Sequence, residues 1–127
     1  MVERLKISSQ NCRGLNNTIK RKKVFQFLKK KKSNIYCLQD VHCTPDQEQL
    51  IKQQWGYKEC FFSCYKSNAR GTAILFNNNF EFEIIHTVSD EEGNFVALKF
   101  KSNEIIYTII SIYGPNKDEP EFFDRII

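Results

Sequence analysis

No apolar run in this 127-residue chain reaches the roughly 18 residues that a membrane-spanning helix needs, which excludes a helical membrane protein as the reading. The amino terminus, Met1-Val2-Glu3-Arg4-Leu5, has no apolar stretch behind its basic residue and does not read as a secretory signal. No linker, internal repeat or low-complexity segment interrupts the chain apart from two lysine runs, and the length fits one domain. The five cysteines, Cys12, Cys37, Cys43, Cys60 and Cys64, are odd in number and contain no C-x-x-C pair. With no secretory signal they read as reduced thiols of a cytosolic or nuclear protein. A zinc site from His42 and Cys43 with Cys60 or Cys64 fits no standard structural-zinc spacing.

What is present suits a packed soluble domain. A chain of this size buries roughly two-thirds of its unfolded surface. Eleven Phe, five Tyr and one Trp supply large core side chains, and charged residues at 27% are ordinary in proportion. The net charge is +4 with a pI near 8.8, and its distribution is uneven. Lys20-Arg21-Lys22-Lys23 and Lys29-Lys30-Lys31-Lys32 put eight cations within 13 residues. Such a cluster attracts phosphate backbones or anionic lipid. It equally describes a solvated helix face whose last turn carries favourable cations.

The pattern along the chain is β-α-β followed by a run of strands. Leu5 to Cys12 alternates as a strand does, Arg13 to Asn17 is a loop, and Thr18 can cap a helix running to about Lys32. Val24, Phe25 and Leu28 form its apolar stripe. Ser33-Asn34 stops the helix, and Ile35-Tyr36-Cys37-Leu38-Gln39-Asp40 reads as a buried strand, parallel to the first. Thr44-Pro45-Asp46-Gln47 is a helix start with Pro at its first position and Gln47 completing a capping box; that helix should run to about Gln54 and break at Trp55-Gly56-Tyr57. Five strands are then expected at Glu59–Tyr65, Thr72–Phe76, Phe80–Val88, Phe95–Lys101 and Glu104–Ile112. Pro120 to Ile127 reads as a helix without polar closure, so the expectation is a single but truncated domain over residues 1–127.

Asp40 is the residue that asks for a reason. An unpaired carboxylate is costly to desolvate, so at the end of a buried strand it must meet water, a donor or a metal ion. Asn11 closes the preceding strand, which would set an amide beside that carboxylate at the carboxyl edge of a sheet, where α/β folds often keep their chemistry. Mg²⁺ takes carboxylate and amide oxygens and keeps several waters, so Asp40 with Asn11 is a candidate site for it. Tyr113 and Asn116, in Tyr113-Gly114-Pro115-Asn116, offer a phenolic O–H and an amide N–H to a phosphate. Taken singly, each of these is also a plain cap or turn residue.

Four segments in order resemble the endonuclease/exonuclease/phosphatase superfamily, most closely the apurinic-endonuclease-like domain of LINE-type (non-LTR) retrotransposons. They are Gln10-Asn11-Cys12-Arg13-Gly14-Leu15-Asn16-Asn17, Ile35 to Cys43, Arg70-Gly71-Thr72-Ala73-Ile74-Leu75-Phe76, and Ile112-Tyr113-Gly114-Pro115-Asn116. The resemblance implies an α/β fold, the N-terminal half of a four-layer DNase I-like sandwich with a mixed sheet and flanking helices. It implies a DNA endonuclease that cleaves phosphodiesters with Mg²⁺ or Mn²⁺. By motif, Asn11 matches the amide near the metal and scissile phosphate, Asp40 the metal-binding acid, Tyr113 the phosphate-contacting tyrosine and Asn116 a nucleic-acid backbone contact. Lys20, Arg21, Lys22 and Lys23 on the basic helix, with Arg70, are the further nucleic-acid contacts expected.

Two departures qualify that expectation. The family usually has glutamate where this chain has Asp40, one methylene shorter, and octahedral Mg²⁺ tolerates misplaced oxygens poorly. The Gly-Asp-Phe-Asn-like and Ser-Asp-His-like segments of the family's second half do not occur after Asn116. His42 and His86 do not stand in for the missing histidine. The expectation is therefore weak or absent activity for this chain alone, the alternative being a catalytically dead remnant that binds nucleic acid through its lysines. A phosphatase or sphingomyelinase of the same superfamily is disfavoured by the Asn-x-Arg-Gly-Leu and Arg-Gly-Thr-Ala-Ile-Leu segments. Oligomeric state is not readable from the sequence.

Overall fold

Among the described residues, 4–57 and 59–113 of a computed structural model, the chain forms seven strands, two α-helices and one 3-10 turn. The alternating segment forms β1 (Ile7–Asn11), and α1 (Thr18–Lys30) carries the chain over to β2 (Ile35–Gln39). β1 and β2 pair in parallel, Ile7 opposite Ile35 and Asn11 opposite Gln39, as a helical crossover requires. The cap of α1 corrects the sequence reading: Asn17, not Thr18, is the N-cap, its Oδ1 accepting the N–H groups of Ile19 and Lys20 at 2.9 and 3.0 Å.

Pro45–Gln47 forms a single 3-10 turn that leads into α2 (Glu48–Trp55), with the Gln47 side chain accepting the Thr44 N–H at 3.1 Å. Gly56 ends α2 at φ 75°, a conformation that costs glycine nothing. β3 (Cys60–Ser63) and β4 (Thr72–Phe76) follow, and β4 runs antiparallel to both β2 and β3. The first sheet thus has the order β1-β2-β4-β3. A second sheet, β5 (Glu83–Ser89), β6 (Phe95–Ser102) and β7 (Ile105–Ile112), is an antiparallel meander.

The residues of β2 and β4 alternate between two cores, which explains why both strands are apolar except at the end where Gln39 pairs with Thr72. Tyr36, Leu38, Ala73 and Leu75 face the helices and join Phe25, Leu28, Ile51 and Trp55. Ile35, Cys37, Ile74 and Phe76 face the second sheet and meet Val96, Leu98 and Phe100. A sheet buried on both faces reads as a continuous apolar run. Trp55 anchors the helical layer: its indole donates to the Phe76 carbonyl at 3.1 Å, and Phe25, Tyr36 and Tyr57 pack edge-on around it. The result is helices on sheet on sheet, the mixed α/β arrangement expected. Residues 114–127, including Asn116 and the expected final helix, lie outside the described residues.

One cysteine reading is overturned. Cys43 and Cys64 form a disulfide, Cα to Cα 5.1 Å, while Cys12, Cys37 and Cys60 are free and buried. The Tyr65 N–H also donates to the Cys43 carbonyl at 3.0 Å, so the two segments are joined by backbone as well. Burial pushes the Cys12 and Cys60 thiols up to about 12 and that of Cys37 up to about 11.

Candidate functional site

The strand register carries the expected polar residues to one end of the sandwich. Asn11 ends β1 opposite Gln39, so Asp40 begins the loop just beyond the β1–β2 ladder. Thr72, opposite Gln39 on β4, starts the return strand at the same end. On the second sheet Phe95 pairs with Ile112, which puts the end of β7 and Tyr113 beside the β5–β6 turn.

Backbone hydrogen bonds sew these loops into a continuous rim. Cys12 N–H donates to Gln39 O, Gly14 N–H to Asp40 O and Leu15 N–H to Val41 O, at 2.8, 2.7 and 2.8 Å. Val41 N–H and His42 N–H then donate to Gly71 O and Arg70 O at 2.9 and 2.8 Å. Gly71 N–H reaches Gly93 O at 3.0 Å, and Tyr113 N–H reaches Asn94 O at 2.7 Å. Such irregular pairing forces unusual dihedrals: Arg13, Asp40, His42 and Arg70 all have φ between 50° and 60°. Non-glycine residues held there store strain, which clusters at functional sites. At Gly14, φ +93°, an added Cβ would lie 2.7 Å from Nδ1 of His42, so this position admits no side chain without moving that ring.

Within the rim, Asp40 Oδ1 lies 2.7 Å from His42 Nε2, both side chains about one-quarter exposed. Sequence reasoning set His42 aside; the signal for it was the Asp-x-His spacing immediately after a strand. Asn11 is exposed, and its Oδ1 accepts the Arg13 N–H at 3.2 Å. Among the described residues, no group of three or more His, Cys, Asp or Glu side chains gathers to hold a metal. The donors that the sequence offered to a metal are thus the Asp40 carboxylate and the Asn11 amide, carried to the same end of the β1–β2 ladder.

The basic residues separate into different roles. Arg21 corrects the expectation most sharply: it is 2% exposed, donating from Nε to Gln54 Oε1 at 2.5 Å and from Nη1 to the Leu15 carbonyl at 2.9 Å. Burial lowers its pKa, and it has no surface to offer a phosphate. Lys20 spans from α1 to the rim, its Nζ donating to the carbonyls of Cys12 and Arg13 at 3.2 and 3.3 Å. Lys29 sits over the rings of Tyr57 and Trp55 at 4.3 and 5.0 Å, and Lys31 over Phe27 at 4.9 Å. Lys22, Lys23, Lys30 and Lys32 are exposed and make no ion pair among the described residues. Arg70 lies over the Tyr65 ring at 4.8 Å and 3.7 Å from the Glu92 carboxylate, on the rim but already engaged.

Two stacked sheets, helices against the outer face of one, and a polar rim at the strand ends make this a partial α/β sandwich of the DNase I type. No protein-family model matches the chain. It is 25% identical over 124 residues, 96% of its length, to the uncharacterized 149 kDa protein of transposon TX1 from Xenopus laevis, 9% of which is covered. It superimposes on the endonuclease domain of TRAS1, a telomere-specific non-LTR retrotransposon, with TM-score 0.59 and 13% identity, covering 96% of this chain and 53% of that one. For the AP endonuclease LMAP from Leishmania major the values are 0.65 and 14%, covering 95% and 43%. For the human Nocturnin catalytic domain they are 0.57 and 16%, covering 84% and 48%. The chain thus spans about half the length of these solved structures. The resemblance drawn from the four sequence segments and the DNase I-like fold it implied both hold.

Proposed function

We propose that this chain supplies the metal-binding half of a phosphodiester-cleaving DNA endonuclease domain of retroelement origin. The observation that carries the reading is the convergence of Asn11, Asp40 and Tyr113 on one rim of the sandwich, with Asp40 held there at φ 56°. Likeness to the TX1 protein and to the TRAS1 endonuclease domain supports it.

In this reading Asp40 and Asn11 hold Mg²⁺ or Mn²⁺, which when bound polarises a phosphoryl oxygen. His42 holds Asp40 by one carboxylate oxygen, and the other is the oxygen that would serve a bound metal. Tyr113 and Asn116 bind the DNA phosphate. Phosphoryl transfer needs charge stabilisation from more than one side. On this reading the chain alone is a weak nuclease unless the acid and histidine of such a site are supplied to it.

Supercoiled plasmid incubated with Mg²⁺, the purified chain and the C-terminal half of a retroelement endonuclease domain should yield nicked circles. Asp40→Asn should abolish them. Intact plasmid despite a formed complex would refute the reading. A second reading, a nucleic-acid-binding remnant, draws its support from the exposed Lys22, Lys23, Lys30 and Lys32. It predicts salt-sensitive DNA binding with no nicking under any complementation.

A further inference from the structure

The contact between the two sheets is apolar along Ile35, Cys37, Ile74, Phe76, Val96, Leu98 and Phe100. At the rim end its character changes. Gln39, Ser63, Thr72 and Ser111 take the inward-facing positions, and the last three are at most 1% exposed. Buried polar side chains cost stability unless they are paired, and an apolar end would pack as well.

Gln39 is the centre of this polar layer. Its Oε1 accepts the Ser9 hydroxyl on β1 at 3.2 Å, and its Nε2 donates to Ser111 Oγ on β7 at 3.2 Å. Ser111 in turn donates to the Leu38 carbonyl on β2 at 3.0 Å. Ser63 Oγ makes a second bridge, to the Asp90 carbonyl of the β5–β6 turn. Thr72, opposite Gln39 on β4, keeps a buried hydroxyl with no partner among the described residues. The layer spans both sheets next to Asp40, and Ser111 lies two residues before Tyr113.

We infer that Gln39 is a positioning residue: through Ser9 and Ser111 it fixes the sheet that carries Asn11 and Asp40 against the sheet that carries Tyr113. The inference rests on the reading of Asp40 as a metal ligand. Partners that orient a ligand typically change metal affinity about tenfold to a hundredfold when removed.

The test measures Mn²⁺ affinity of the full chain by paramagnetic broadening of assigned amide signals, beside its Tm. Wild type should show broadening centred on Asp40, and Asp40→Asn should remove it. Gln39→Met, which keeps the volume and loses both hydrogen bonds, should weaken Mn²⁺ binding about tenfold. Leu98→Val, in the apolar part of the same interface, should lower Tm without changing the affinity. Ser111→Ala should repeat the Gln39→Met effect, and it serves as the reporter if Gln39→Met does not fold. Unchanged affinity in both Gln39→Met and Ser111→Ala, or a loss in Leu98→Val equal to theirs, overturns the positioning role while leaving the metal reading intact. Absence of Asp40-dependent broadening in wild type overturns both.

Discussion

Replacing Arg21 by Met separates a structural cation from a nucleic-acid contact in one experiment. The side chain is 2% exposed and joins α1 to the Leu15 carbonyl and to Gln54 on α2. Met preserves most of the stem volume, so the change falls on the hydrogen bonds. Gln54 is partly exposed and regains water. Leu15 is 1% exposed, and its carbonyl loses the bond from Arg21 Nη1 at a cost of about 1–3 kcal/mol. Bonds from a charged donor are worth about 1.5–3 kcal/mol each, partly offset because a desolvated guanidinium is removed. The net expectation is a loss of about 2 kcal/mol, or roughly 8 °C in Tm for a domain of this size. Trp55 is the single tryptophan and fully buried, so its fluorescence reports urea unfolding directly. The slope of DNA affinity against salt should stay at its wild-type value. A variant with unchanged urea midpoint and a shallower salt slope would refute the structural assignment and return Arg21 to the binding surface.

Three further outcomes are expected. Cys43→Ser should cost about 3 kcal/mol by the loop-closure relation for a sequence separation of 21, seen as a lower urea midpoint without reductant and no difference once the wild type is reduced. Because burial raises the Cys12, Cys37 and Cys60 thiols to about 12, 11 and 12, they stay protonated at pH 8; a thiol reagent should label none of them until denaturant is added, and labelling of native protein would contradict their burial. With Lys22, Lys23, Lys30 and Lys32 as the phosphate contacts, the logarithm of DNA affinity should fall with the logarithm of salt at a slope of about −3 to −4, whereas all eight cations acting together would give about −7.

The β-α-β unit and all seven strands were legible because their signals are local: alternation in β1, unbroken apolar runs in β2 and β4, and turn residues between the later strands. The site end was legible for the same reason, since Asn11 and Asp40 stand at strand ends that parallel pairing must bring together. What escaped the sequence depends on tertiary packing. Asn17 and Thr18 are both good caps, and only the position of the first helical turn chooses between them. Arg21 is indistinguishable from its lysine neighbours until α2 closes over it. The Cys43–Cys64 bond requires β3 to fold back along β4 and return the chain to the loop after β2. His42 followed the strand end in plain view, yet its partner became evident only with Asp40 and His42 both turned into the left-handed region.

That backbone turn bears on the shorter acid at position 40. In an extended residue, losing a methylene withdraws the carboxylate from whatever lies beyond the strand. Asp40 is not extended: at φ 56° it occupies a region that costs most L-residues about 1–2 kcal/mol and that Asn and Asp enter more readily than others. Three constraints hold it there. Its own carbonyl accepts from Gly14, Val41 donates to Gly71, and its carboxylate meets His42 at 2.7 Å. Gly14 leaves no room for a side chain between the loop and the His42 ring, so the ring stays where Oδ1 can find it. A glutamate placed in the same turn would meet a higher backbone cost, since Asp enters this region more readily. Aspartate at this rim is therefore matched to the local backbone.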